Sequence, residues 1–270
     1  PQGCDIVRRL AAEADVVLQN FRPGVADRLG IGYDDLSAAN SGLVYLSISG
    51  FGQSGPRAAE RAYDPIIQMY SGIADIQGRI HIEHAETPEQ VNMLLLDKLT
   101  AWTGMQAITA ALLARAKSGE GQHVELSMLD VAIAFAWSDT AADLILLSED
   151  VDARPPVGAS GQVTRYADGW GATMTLSQPE FEGLCRAYGL PQLASDPRFS
   201  TLDARMAHRH ELREVMMTDI AQAAAKLSVA QAGERMRAEQ VPFAHVRRLA
   251  EIPNDPQVAH KRNFRITDHP

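Results

Sequence analysis

Short apolar runs alternate with amphipathic segments through the first half of the chain. Residues 5–13 carry a helical pattern, and VVLQNF (16–21) is a β-branched apolar run closed by Pro23 and Gly24, which predicts a buried strand. A second helical segment, YDDLSAAN (33–40), leads into a second strand, LVYLSISGFG (43–52), which also ends in glycines. From Leu94 to Lys117, Leu95, Leu99, Trp102, Met105, Ile108 and Leu112 recur at three- and four-residue intervals. That spacing predicts a long helix with one broad buried face, ended by Ser118 and Gly119. HVEL (123–126) reads as a third strand, and Ser127 as the N-cap of a helix running through VAIAFAWSDTAADLILL (131–147). Helices alternating with short apolar strands imply a parallel sheet, and ligands of such sheets sit outside the carboxyl ends of the strands.

The pattern changes after Asp150. DARPPVGASGQ (152–162) has the Pro, Gly and Ser density of a connecting loop, and TRYADGWGATMTL (164–176) predicts a hairpin turning at Ala167, Asp168 and Gly169. Charge-rich helices then run to about residue 248. The expectation is an α/β protein with a large parallel-sheet domain over 1–150 and a smaller α+β domain over 151–250. Residues 251–270 would begin a segment returning to the large domain. The chain opens inside a helical pattern, PQGCDIVRRL, and stops at FRITDHP, so a longer protein is expected.

Composition narrows the function classes. With 46% hydrophobic residues in 270, the chain can bury a large core with a smaller satellite. A net charge of −9 argues against a general nucleic-acid surface, which needs clustered Lys and Arg, while leaving room for a local basic pocket. No apolar run approaches the roughly 20 residues that cross a bilayer. Cys4 and Cys185 stand far apart, so neither a disulfide framework nor a CxxC metal site is expected, and a reducing cytoplasm is the default.

GEGQHVELSMLD (119–130) delivers Asp130 to the first turn of the helix after the third strand. Two readings stay open there: an acid three residues after Ser127 completes a capping box, and a carboxylate oriented by helix-end N–H groups suits attack on an activated acyl carbon. In NFRPG (20–24), Pro23 can simply start a helix, yet Asn20 offers an amide, Phe21 a flat apolar surface, and Arg22 with Arg28 a bidentate grip on phosphate. SGFGQSGP (49–56) is either a turn or a loop whose glycines admit a ligand. Tyr63 and Asp64 in RAYDP either begin a turn before Pro65 or form a functional pair. HIEH (81–84) lacks further metal ligands, and no metal is expected. The histidines of AHRH (207–210) belong to a charged helix and are expected to face solvent.

The segments ADVVLQNFRPGVADRLGIGYDDLSAAN, LVYLSISGFGQSGP, RAYDP, LLDK, GEGQHVELSMLD, YADGW, DPRFSTLDARMAHRHEL and VPFAHVRRLAEIPNDPQV resemble, in that order, the family III CoA-transferases, the CaiB/BaiF group. The resemblance implies a Rossmann-like large domain, a smaller α+β domain and a homodimer of interlocked chains. It implies that Asp130 attacks an acyl-CoA to give a mixed anhydride, that CoA thiolate returns to form an aspartyl-CoA thioester, and that a free carboxylic acid repeats the exchange. A coenzyme A thioester is then a substrate, with no permanently bound cofactor, no metal, and neither nucleic acid nor membrane as partner. By the same resemblance Asn20, Phe21, Arg22, Arg28, Arg61 and Lys98 bind CoA. Gly161 and Gln162, in GASGQ, correspond to a glycine loop over the nucleophile, and Tyr63 and Asp64 form an aromatic–acid pair near the thioester. The related α-methylacyl-CoA racemases carry His where this chain has Tyr63, so a racemase is the alternative reading, beside a truncated module that binds without turnover.

Overall fold

Three parallel strands organise the first half of the protein. The computed structural model describes residues 2–79, 87–145, 162–265 and 267. The chain divides into two units, Pro1–Val151 and Asp152–Pro270. In the first, α1 (Gln2–Ala11) leads to β1 (Val16–Gln19), and the short helices α2 (Val25–Arg28) and α3 (Tyr33–Ser37) lead to β2 (Val44–Ser49). Next come α4 (Asp64–Tyr70), α5 (Ile73–Arg79) and the long α6 (Leu95–Ser118). β3 (Gln122–Ser127), α7 (Met128–Thr140) and α8 (Ala142–Ile145) complete the unit. The strand order is β1-β2-β3, all parallel, with Leu18 beside Leu46 beside Val124 and with Ser49 beside Ser127. Parallel pairing places the three strand ends, at Gln19, Ser49 and Ser127, along one edge of the sheet.

Strand alternation divides the sheet into two unlike faces. Leu46, Ile48 and Leu126 lie on one, and α6 packs there so closely that a Cβ on Gly104 would stand 3.1 Å from Leu46 Cδ2. The opposite face carries Val17, Tyr45 and His123 and then Gln19, Ser47 and Glu125. Its first part is covered by Ala11, Leu36 and Leu43, with Ile31 and Tyr33 against them.

Helix α6 forms over nearly the predicted span, and the predicted face is right in part: Leu99 packs against the core, and Leu95, Ile108 and Leu112 are half-buried. The residues driven inward are Leu96, Thr100, Gly104 and Ala111, whereas Trp102 and Met105 are 62% and 61% exposed. Period alone identified the helix. Close approach decided the rest: Thr100, Gly104 and Ala111 let the helix lie on the Leu and Ile of the sheet, and Trp102 and Met105 point away. Helix 33–40 is likewise shorter than expected, ending at Ser37, and the helix after Ser127 breaks at Ala141. Gly119, at φ +80, closes α6 as anticipated.

The second unit holds an antiparallel sheet of β4 (Gln162–Arg165), β5 (Trp170–Thr173) and β6 (Phe243–His245). Arg165 pairs with Trp170, so the β4–β5 hairpin turns where Ala167, Asp168 and Gly169 predict. Helices α9 (Gln178–Ala187), α10 (Pro191–Ser195), α11 (Leu202–Ala207), α12 (Arg209–Val215), α13 (Ala221–Ala224) and α14 (Val229–Ala238) follow β5, with a π turn at Met216–Ile220. A 3-10 turn, Leu249–Asn254, and α15 (Pro256–Lys261) come after β6. Tyr166, Phe181, Leu184, Cys185, Phe199, Ile220 and Met236 form the core. The hydroxyls of Tyr166 and Tyr188 share a hydrogen bond of 2.6 Å inside it. Asp168 accepts from the Val229 N–H at 2.8 Å, tying the hairpin turn to the start of α14.

Two outcomes test this packing. Gly104→Leu overfills the α6–sheet contact and is expected to cost about 1–3 kcal/mol, read as a lower urea midpoint. Cys185 is fully buried, and desolvation pushes its thiol up to about 11, so iodoacetamide near pH 8 is expected to spare it until the protein is unfolded.

Candidate active site

Asp130 stands third in α7, where Ser127, on the last position of β3, caps the helix: Ser127 Oγ accepts from the Asp130 N–H at 3.2 Å. The reciprocal half of a capping box does not form. In the boxes Ser177/Glu180 and Ser228/Gln231 the third-position side chain returns to the N-cap N–H, at 2.8 and 2.9 Å. Asp130 makes no such return, although Asp35 at the same position of α3 accepts from the Gly32 N–H at 3.3 Å. Among the described residues nothing hydrogen-bonds its carboxylate oxygens, and the side chain is exposed.

The turn that carries Asp130 is tied to the loop after β2. The Gly50 carbonyl accepts from the Leu129 N–H at 3.0 Å and from Ser127 Oγ at 3.4 Å. Gly50 is in turn pressed on Ala62, where a Cβ would fall 2.2 Å from the Ala62 Cβ. This contact fixes the Arg61–Tyr63 segment beside the base of α7. Met128 and Ala132 of α7 share a core with Ile67 of α4 and Leu96 of α6, with Phe51 and Ala62 packed against it. Tyr63 is 71% exposed at the N-cap of α4, and Arg61 is exposed.

Asp64 behaves differently from its neighbour. It is 1% exposed, its Oδ2 accepts from the N–H groups of Leu96 and Asp97 at 2.6 and 2.9 Å, and its Oδ1 accepts from Gln68 Nε2 at 2.6 Å. Lys98, exposed one turn into the same helix, donates to the Leu94 carbonyl at 3.0 Å.

The loop after β1 opens a cleft of about 480 Å³ lined by Gln19, Arg22, Tyr33, Ser47, Gln53 and His123, among others. Gln53 belongs to the loop after β2, so the two glycine-bearing loops meet there. On the cleft floor Gln19 Nε2 donates to Ser47 Oγ at 3.0 Å, and Ser47 Oγ lies 2.8 Å from His123 Nε2. The His123 ring stacks on Tyr33 with centroids 4.9 Å apart. Burial, then the carboxylates of Asp27 and Asp35, push the Tyr45 phenol up, and its hydroxyl donates to the Ile31 carbonyl at 2.9 Å. Gln53 Nε2 is buried with no hydrogen-bond partner, a donor aimed at no protein acceptor. Asn20, Phe21 and Arg28 are exposed around the mouth of the loop. Gly24, at φ +75, lets the turn close under Arg28, whose Nη1 would lie 3.1 Å from a Cβ there.

The structure therefore gathers Asp130, Gly50 and the Arg61–Tyr63 segment at one junction and Arg22 with Gln53 at another, both at the carboxyl edge of one sheet. Gly161 lies outside the described residues, as does HIEH, and Gln162 opens β4 in the second unit. Among the described residues no group of three or more His, Cys, Asp or Glu side chains could hold a metal ion, and no helix is long and apolar enough to cross a membrane. Sequence reasoning missed Gln19, Ser47, Gln53, Gln68 and His123. The signal was present for three of them: Gln19, Ser47 and His123 are polar residues within strands that also carry apolar positions.

The family described as CoA-transferase family III matches residues 1–270. A succinate–glutarate CoA-transferase of Agrobacterium fabrum is 33% identical over 96% of this chain, and an acetyl-CoA:oxalate CoA-transferase of Acetobacter aceti is 34% identical over 97%. The chain spans 63% and 66% of the length of those two relatives. Among solved structures, a CAIB/BAIF family protein from Brucella suis superposes with a TM-score of 0.76 at 30% identity, covering 97% of this chain and 68% of that one. Rv3272 from M. tuberculosis superposes with a TM-score of 0.81 at 25% identity, covering 96% and 67%.

Ser127→Ala removes the cap under Asp130 and is expected to cost about 1 kcal/mol, measured by urea denaturation.

Proposed function

Because this chain belongs to CoA-transferase family III, we propose that the protein moves CoA from an acyl-CoA thioester to a free carboxylic acid, with Asp130 as the nucleophile. One Asp130 oxygen attacks the thioester carbon and expels CoA thiolate, leaving a mixed anhydride of Asp130 and the donor acid. The thiolate attacks the aspartyl carbonyl, the donor acid departs as its carboxylate, and an aspartyl-CoA thioester remains. The acceptor carboxylate attacks that carbonyl, and the returning thiolate takes the acceptor acyl group, which restores Asp130. Each step exchanges one leaving group at one carbonyl, and the covalent relay through Asp130 divides the overall transfer between two acids into separate acyl exchanges.

The observation that carries this reading is the unreciprocated cap. Asp130 sits where helix-end dipoles favour negative charge, yet its oxygens have no hydrogen-bond partner among the described residues, unlike the third-position side chains after Ser177 and Ser228. Arg22, Arg28, Asn20 and Phe21 at the β1 end of the same sheet edge, with Arg61 and Lys98 beyond, are the proposed contacts for the CoA phosphates and adenosine. The exposed apolar side chains of α6 and α7, including Trp102, Met105, Leu113, Phe135 and Trp137, support the reading that two chains associate as a homodimer. The named substrates of the relatives point to small dicarboxylates as the first acids to try.

Incubation with acetyl-, succinyl- and glutaryl-CoA, followed by hydroxylamine trapping and peptide mass analysis, is expected to place an adduct on Asp130 and to lose it in Asp130→Asn and Asp130→Ala. Exchange of the α-proton of a branched acyl-CoA without any adduct would overturn the transferase reading in favour of a racemase. Arg22→Ala with Arg28→Ala is expected to raise KM for the CoA ester about tenfold or more, with a smaller change in kcat.

A further inference from the structure

We propose that Asp64 is a positioning residue: its buried carboxylate staples α4 to the first turn of α6 and so holds Tyr63 and Arg61 in place beside the turn that carries Asp130. The inference rests on the transferase reading for what is being positioned, and on the fold alone for the staple.

Helix α6 is 24 residues long and begins without a cap of its own, because its N-cap residue is Leu94, which has no side-chain acceptor. The first N–H groups of a helix need acceptors, and inside a protein an unmet one is costly. Asp64, 32 residues earlier on a different helix, supplies the acceptor to both Leu96 and Asp97 through a single oxygen. A carboxylate is also the group that the positive end of a long helix favours. No cation pairs with it among the described residues, so backbone dipoles and one amide carry its charge.

The second oxygen extends the staple. Gln68, one turn along α4 and 1% exposed, donates to Asp64 Oδ1 while its own Oε1 accepts from the Val91 N–H at 2.9 Å. Its Nε2 also faces the carbonyls of Val91 and Met93, at 3.3 and 3.2 Å. The pair thus fixes the approach to α6 as well as its first turn. Asp64 follows Tyr63 directly, and Ala62 is clamped under Gly50, whose carbonyl holds the α7 N-terminus. Loosening Asp64 therefore loosens the one segment that lies between the staple and the Asp130 turn. Both its oxygens are committed to protein donors, and neither is placed to exchange a proton with a substrate.

Asparagine preserves the shape and keeps one acceptor oxygen for the Leu96 and Asp97 N–H groups, loses the bond from Gln68 and cannot act as a carboxylate, so Asp64→Asn and Asp64→Ala separate the two roles. Asp64→Asn is expected to keep the Leu96 and Asp97 amides protected from hydrogen exchange, to hold kcat within about tenfold, and to leave the pH profile of kcat unchanged. Asp64→Ala is expected to speed exchange of those amides about tenfold or more and to lower kcat/KM for the acyl-CoA. Should Asp64→Ala fail to fold, Gln68→Met weakens the same staple with Asp64 intact, and faster Leu96 exchange with slower transfer is the expected result. The proposal is overturned if Asp64→Asn keeps the amides protected while kcat falls about a hundredfold, since a carboxylate in the chemistry would then be required. Unchanged Leu96 and Asp97 exchange in Asp64→Ala or Gln68→Met would overturn it equally. If the parent protein forms no adduct with any acyl-CoA, the transferase reading falls, and the amide exchange alone still decides the staple.

Discussion

The Gly50 carbonyl is the acceptor on which the candidate site depends. It takes the Leu129 N–H at 3.0 Å, just beyond the last pair of the β2–β3 ladder, Ser49 with Ser127. The parallel register is thereby carried one step past the strands, into the first turn of α7. A helix that starts on a strand end, capped by the last strand residue and bonded to the neighbouring loop, has little freedom to rotate. Asp130 inherits that rigidity. Gly50 can do this only because it lacks a Cβ: the space a side chain would need is filled by Ala62.

From that junction the remaining parts follow as consequences of packing. Ala62 brings Tyr63 and Asp64 with it, Asp64 brings the start of α6, and α6 lies on the sheet through Gly104 with Leu46, Leu126 and Ile48 around it. The core shared by Ile67, Leu96, Met128 and Ala132 makes one body of three helices from distant parts of the sequence. Rigid elements hold a reacting group to tighter tolerances than loops do, which suits the role proposed for Asp130.

Much of this was legible in the residues, and the exceptions have physical causes. Ser127 and Gly119 are local signals, readable because a cap or a left-handed turn depends on a few neighbouring positions, and both ends formed as read. Strands β1 to β5 were legible for the same reason, whereas β6 lies in a span that read as helical and pairs with β5 some 70 residues earlier. The face of α6 was legible only in part, because hydropathy ranks Trp102 and Met105 above Thr100 and Gly104, while close helix–sheet approach selects the small side chains. Asp64 was recognisable as unusual but not as a cap, since the N–H groups it serves are 32 and 33 residues away. The Gln19–Ser47–His123 chain required the register between strands, which no single strand discloses.

The central claim is that an oxygen of Asp130 passes through the reaction, and isotope transfer tests it most directly. When the protein turns over an unlabelled acyl-CoA with an acceptor acid carrying oxygen-18 in its carboxylate, the account predicts that label enters the Asp130 side chain, detectable by mass in the peptide that contains it. Turnover that leaves the Asp130 carboxylate unlabelled would contradict the account, because the acceptor would then have reached CoA without bonding to it.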